Sequence, residues 1–272
     1  MPKRLTDADR QAYHAHGFHF PLAAFGRQEI GHYRSQFEAL RTREGGTIST
    51  STNTRAHLLL KWIDDIVRDA RVLDAVEDII GPDILVWASG FFAKRPGDRS
   101  YISWHQDATY WGLSSHDVVT AWLALSPSTP ETGCMRVVPG THKVQVPHVD
   151  TFARGNLLSR GQEIAVSVNE DDAVDIVLAP GQFSLHHVLL LFHGSRPNAG
   201  TDDRIGLAIR YIPTHLRQLS PIEDSAMLVR GHDRFGHFAL DRPPVADFHP
   251  DAVAAHTKSM ARLKAITRDT RA

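Results

Sequence analysis

GPDILVWASGFFAKRP, residues 81–96, is the stretch at which the chain changes character. Gly81-Pro82 is a stop signal, because glycine tolerates the left-handed turn that ends a helix and proline cannot continue one. The run that follows is rich in β-branched and aromatic residues and is too short and too continuous to be an amphipathic helix. Upstream the periodicity is helical. Thr6 followed by Asp9 has the form of a capping box, and Gly17 closes the short helix after it. Residues 26–43 read as a second helix. In residues 62–80, Ile63, Ile66, Val67, Leu73, Val76 and Ile80 fall near one helical face, which predicts a third. Downstream, short β-rich runs recur at 84–95, 101–107, 118–126, 135–138, 174–178, 182–187 and 204–213, punctuated by Gly, Pro, Asn and Asp. Strands without intervening helices predict a mainly β fold with flanking α-helices and a sandwich or jelly-roll core, not a doubly wound sheet. A last helix is expected at 250–268. The whole, residues 1–272, reads as one domain, with N-terminal helices at about 5–82 and a core at about 83–235.

Composition narrows the function. Thirty Lys and Arg against 31 Asp and Glu leave a formal charge of −1, which argues against a basic face for nucleic acid or anionic lipid. Residues 188–192 form the longest apolar run, far too short for a bilayer, and the N-terminus lacks the apolar segment of a secretory signal. One cysteine, Cys134, permits no internal disulfide and fits a reducing, cytoplasmic location; core packing is its expected role. The 17 histidines are the unusual feature, and they direct attention to metal chemistry.

In Ser103-Trp104-His105-Gln106-Asp107-Ala108-Thr109-Tyr110-Trp111, His105 and Asp107 are two apart, so on a strand both project from one face. A further histidine from elsewhere would complete a triad of two histidines and one carboxylate with open positions on the metal. The second segment, His193-Gly194-Ser195-Arg196-Pro197-Asn198, follows an apolar strand, and Arg204 opens the next strand eleven residues after His193. A hairpin of that length returns a guanidinium to the site, where it can grip a dicarboxylate in bidentate fashion.

Together with AWLAL at 121–125 and GCMRVVPGTH at 133–142, these segments resemble the phytanoyl-CoA dioxygenase family of iron- and 2-oxoglutarate-dependent oxygenases, over about residues 5–211. The resemblance implies a double-stranded β-helix core, with Fe(II), 2-oxoglutarate and O2 as cofactors and ascorbate as a support for activity. It implies His105, Asp107 and His193 as iron ligands and Arg204 as the 2-oxoglutarate anchor. Ser195, Trp122 and Gln106 are implied beside the cosubstrate. The interval from His187 to His193 is one residue longer than the family's usual spacing, which leaves His187 as the alternative ligand. Halogenases related to the family carry a small residue where Asp107 stands, so the aspartate favours hydroxylation.

Asn53, Arg55, Lys61, Lys94, Tyr110, Trp111 and Arg210 are candidate substrate contacts, each weighed against a solvated loop, core packing or a paired cation. His186, His187 and His142 are read as structural in preference to functional. The expected partner is a small polar or anionic metabolite: an amino-acid derivative, an aminophosphonate or a natural-product intermediate. Rival expectations are a non-catalytic jelly-roll binding protein, a cupin-like oxygenase that needs no cosubstrate, and action on an acyl-CoA or carrier-bound substrate.

Overall fold

The structure is a computed structural model that describes residues 2–158, 160–190, 192–193 and 196–269, with backbone alone for Tyr110, Phe192, His193, Arg268 and Asp269. Its elements run α1 (Asp7–His16), β1 (Phe18–Ala23), α2 (Arg27–Arg43), α3 (Thr50–Asn53), α4 (Lys61–Val67), α5 (Ala70–Ile80), β2 (Ile84–Lys94) and β3 (Trp104–His105). There follow β4 (Val119–Ala124), β5 (Met135–Val137), β6 (His148–Asp150), β7 (Gln162–Ile164), β8 (Val174–Ile176), β9 (Gln182–His187) and β10 (Phe192–His193). The last are β11 (Arg204–Pro213), β12 (Ser225–Arg230), β13 (Ala239–Leu240) and α6 (Pro250–Asp269).

The jelly-roll core consists of a seven-stranded sheet ordered β1-β9-β4-β11-β2-β12-β13 and a four-stranded sheet ordered β3-β10-β5-β8. The helices α2, α4 and α5 cover the outer face of the larger sheet. Ile30, Phe37, Leu40, Ile63, Ile66, Leu73 and Val76 join Val86, Phe91, Leu123, Phe183, Leu207 and Ile209 in one buried cluster. Each such side chain contributes about 1.5–3 kcal/mol by leaving water, so this layer is the main hydrophobic support of the sheet. With helices on one face and the second sheet on the other, β2 and β11 are buried almost end to end, which is why residues 84–94 are apolar without alternation.

Local signals account for the helix ends. Thr6 and Asp9 form a capping box, and Gly17 ends α1 in the left-handed region at φ 87°. The single helix expected over 62–80 is two. Asp69 accepts a hydrogen bond from the Arg71 amide and starts α5 afresh after α4 ends at Arg68. The strand expected over 101–107 is only β3, and Asp107 opens a 3-10 turn.

A buried ion pair ties the C-terminal helix to this frame. Arg55, itself at φ 54°, donates two hydrogen bonds to the Asp224 carboxylate at 2.8 and 2.9 Å. It donates two more, to Ser225 and to Ser259 of α6. Trp87 Nε1 donates to the same carboxylate at 2.7 Å. Removing one partner of such a pair strands the other charge away from water. Asp224→Asn should therefore lose about 3–5 kcal/mol in denaturant unfolding, and a loss below about 1 kcal/mol, the value of an exposed pair, would contradict the assignment.

Candidate active site

Between the two sheets lies a cavity of about 510 Å³, its open mouth included. Its lining comes from β11 (Arg204, Ala208, Arg210), β4 (Thr120, Trp122), β9 (His186) and β2 (Phe92) on one side. His105, Asp107, Ile102, Met135 and Leu158 close the other. A concave site, mostly apolar with a few convergent polar groups, has the form of a small-ligand pocket.

His105 and Asp107 share one point in it. His105 Nδ1 donates to the Ser103 carbonyl at 2.9 Å, which fixes the ring's orientation and turns Nε2 toward Asp107 Oδ1 at 3.3 Å. Burial alone would raise the Asp107 pKa; contact with His105 and the charge of Arg210 outweigh it and hold the carboxyl below its usual range. Imidazole and carboxylate aimed at one point form a donor set suited to a divalent transition metal. The strand β10 pairs with β3, Phe192 opposite His105 and His193 opposite Trp104, so the backbone of the third expected ligand runs beside the strand that carries the first. The side chain of His193, like all of Ser195, lies outside the described residues.

Arg204 is 2% exposed and sits 5.5 Å above the Trp122 ring. Burial pushes its pKa down to about 10, so the guanidinium remains charged in a dry setting suited to a carboxylate. Gly206 makes this possible. A Cβ there would fall 1.8 Å from Trp122 Cζ2, so only glycine lets the indole lie against β11.

Other residues expected at the site are elsewhere. Gln106 faces away from His105 and Asp107 and clamps a neighbouring loop. Its amide donates to the Val144 and Leu189 carbonyls and accepts from the Val146 amide, while its backbone NH donates to His148 Nε2 at 2.8 Å. It is thus a strut under the metal strand, not a cosubstrate contact, and His148 is a second strut that sequence reasoning missed. Arg55 is consumed by Asp224. Asn53 holds the backbone of Phe91 through both ends of its amide. Lys61 is half-buried on α4 beside Asp64 and Asp65. None of these three lines the cavity. Lys94 stands opposite Arg204 in the β2–β11 ladder, on the same face, donates to the Arg196 carbonyl and lines a neighbouring cavity instead of this one. Trp111 packs 5.0 Å from Trp87 and flanks Arg210, and the Tyr110 side chain lies outside the described residues.

The adjacent histidines divide by strand phase. His186 lines the cavity, whereas His187 turns outward against His142, 5.1 Å away, and accepts from the Leu189 amide. That orientation turns His187 away from the cavity that holds His105 and Asp107. Cys134 is buried, and burial pushes its thiol up to about 12, as a packing residue requires. In HGSRPN, Asn198 donates to the carbonyls of Lys94 and Asp202 and fastens the loop before β11 to β2. No described helix is long and apolar enough to cross a membrane.

The sequence profile of the phytanoyl-CoA dioxygenase family (PhyH) matches residues 13–206. A probable alpha-ketoglutarate-dependent hypophosphite dioxygenase of Stutzerimonas stutzeri is 31% identical over 164 residues, which are 57% of this chain and 54% of that one. The chain therefore spans about half the length of that relative. Among solved structures, the apo form of the non-heme monooxygenase ThoJ superposes with a TM-score of 0.86 at 32% identity, covering 96% of this chain and 98% of its own. CytC3 with Fe(II) and alpha-ketoglutarate has the same fold at a TM-score of 0.67 and 23% identity, covering 91% and 97%.

Two predictions arise from this geometry. Burial depresses the pKa of His186 to about 3 and of His187 to about 4, against an ordinary value near 6.5. The folded state thus resists protons that the unfolded chain accepts, so stability is fully present above pH 6.5 and is lost as pH falls. From pH 6 to 5 the metal-free protein should lose about 2 kcal/mol in denaturant unfolding; a flat profile over that interval would show that these rings are hydrated. Separately, Gly206→Ala should displace the Trp122 ring at a cost of about 1–3 kcal/mol. Unchanged stability and unchanged indole fluorescence in that variant would contradict the packing described.

Proposed function

The chain belongs to the phytanoyl-CoA dioxygenase family of iron- and 2-oxoglutarate-dependent oxygenases, and on that premise we propose that it hydroxylates a small polar or anionic metabolite. The observation that carries this reading is the single cavity that unites His105 and Asp107, 3.3 Å apart, with the buried Arg204. In this reading His105, Asp107 and His193 hold iron(II). Arg204 takes the far carboxylate of 2-oxoglutarate, Trp122 lies alongside it, and Ser195 adds a hydroxyl. The metal and cosubstrate supply the activation of dioxygen needed to oxidise a C–H bond.

The protein's part is orientation and the exclusion of water. Ser103 sets the orientation of the His105 ring, and Gln106 and His148 stiffen the strand that carries it. Phe92, Ile102, Met135 and Leu158 keep the cavity apolar, which strengthens every charge interaction inside. Asp107 keeps its charge at neutral pH and fills the position that a halide would need, so hydroxylation is favoured over halogenation. The cavity must take cosubstrate and substrate together, which favours a small metabolite over an acyl-CoA.

The test is to supply the protein with iron(II), ascorbate, 2-oxoglutarate and air and to screen metabolites by mass spectrometry, in buffers with and without chloride. One metabolite should gain a single oxygen, with succinate formed in equal amount and no chlorinated product. Arg204→Gln should raise the 2-oxoglutarate requirement at least tenfold, since a hydrogen bond to a charged group is worth about 1.5–3 kcal/mol, and should leave iron affinity nearly unchanged. Failure of the wild type to form succinate with any candidate, or a chlorinated product, would sink the proposal.

A further inference from the structure

Arg210 is the charged group at this site that the reading above does not use. It lies on the cavity face of β11, six residues beyond Arg204 and about 20 Å along the strand. Its Nε is sealed from solvent without a hydrogen-bond partner, and among the described residues the guanidinium makes no hydrogen bond or ion pair. The rings of Phe92 and Trp111, each 5.7 Å away, hold it in place. Directly opposite in the β4–β11 ladder is Thr120, 5% exposed and also lining the cavity, whose Oγ1 is likewise buried with no hydrogen-bond partner. Opposed residues of an antiparallel pair have their Cβ atoms about 5 Å apart, so one small group can meet both side chains.

The charges in the occupied site point the same way. Iron(II) cancels the two charges of 2-oxoglutarate, and among the residues that line the cavity Asp107 cancels Arg204. Arg210 is left over, in a cavity where an uncompensated cation is unfavourable. In the metal-free protein the charge of Asp107 acts on Arg210, but no ion pair forms between them, and a bound metal would draw that carboxylate's charge to itself.

We propose that Arg210 and Thr120 form the substrate's anion subsite, and that the substrate is a monoanion whose carboxylate or phosphonate oxygens accept hydrogen bonds from both. This rests on the function proposed above and narrows it. The anion would sit at the Arg210 end of the cavity, leaving the adjoining carbons near His105 and Asp107. The fork of Arg210 recognises the oxyanion by charge and geometry, and the Thr120 hydroxyl supplies a third donor.

The test is anaerobic calorimetric titration of the iron(II)–2-oxoglutarate protein. The probes are short carboxylates and alkylphosphonates, each paired with its neutral amide or dimethyl ester. At least one anion should bind the wild type tenfold or more tightly than its neutral partner, and the two anion types show which oxyanion is preferred. Arg210→Gln should lose that preference, Arg210→Lys should regain part of it, and Thr120→Val should weaken it by a smaller factor. In each variant the affinities for iron and 2-oxoglutarate should stay within about twofold, because neither residue is assigned to them. Wild type without any preference for anions would overturn the inference, as would Arg210→Gln that keeps the preference. So would Arg210→Gln that loses iron or 2-oxoglutarate instead, which would make Arg210 a support for Asp107 or for the cosubstrate. A wild type that binds no 2-oxoglutarate overturns the reading of the whole site, whereas one that binds it and no anion overturns this inference alone.

Discussion

The site depends on one strand holding two cations, Arg204 buried and Arg210 half-buried, against a single cavity. The central strand β11 pairs with β2 on one edge and β4 on the other over most of its length, so its backbone has no freedom to adjust to a ligand. From its cavity face it presents Arg204, Gly206, Ala208 and Arg210. The two small residues in the middle make room for the Trp122 ring and for ligands, and the two arginines mark the ends. Arg210, which among the described residues makes no hydrogen bond or ion pair, is unfavourable there unless something negative meets it, so the same strand that gives the fold its centre also gives the cavity a place for an anion.

Rigidity around the metal strand follows from less conspicuous residues. The short β3 is paired with β10, and the turn after it is pinned from behind by Gln106, His148 and the loop at 144–146. Asn198 holds the approach to β11 against β2. None of these groups touches the cavity, yet each fixes the position of one that does. Support of this kind allows first ligands to keep their geometry before a metal arrives.

Much of this was legible in the amino-acid sequence, because its signals are local. His105 and Asp107 are two residues apart, Arg204 follows His193 at hairpin distance, and the caps at Thr6 and Gly17 act within one turn. The misreadings share the opposite property. Arg55 looked like a loop cation because its partner, Asp224, is 169 residues away. Gln106 sits between two site residues, and the alternation of the strand turns it to the other side. His186 and His187 are neighbours whose roles depend on phase alone, which the sequence of β9 does not reveal. Thr120 carries no sequence signal, being one threonine in an apolar strand. Its meaning comes from standing across from Arg210.

The most direct test of the central claim is a crystal structure with manganese(II) in place of iron and with 2-oxoglutarate, grown without oxygen. The account predicts the metal on His105, Asp107 and His193, with the far carboxylate of 2-oxoglutarate against Arg204 and Trp122 and the space before Arg210 left for substrate. A metal bound through His186 or His187, or a dicarboxylate anchored on Arg210 instead of Arg204, would contradict it.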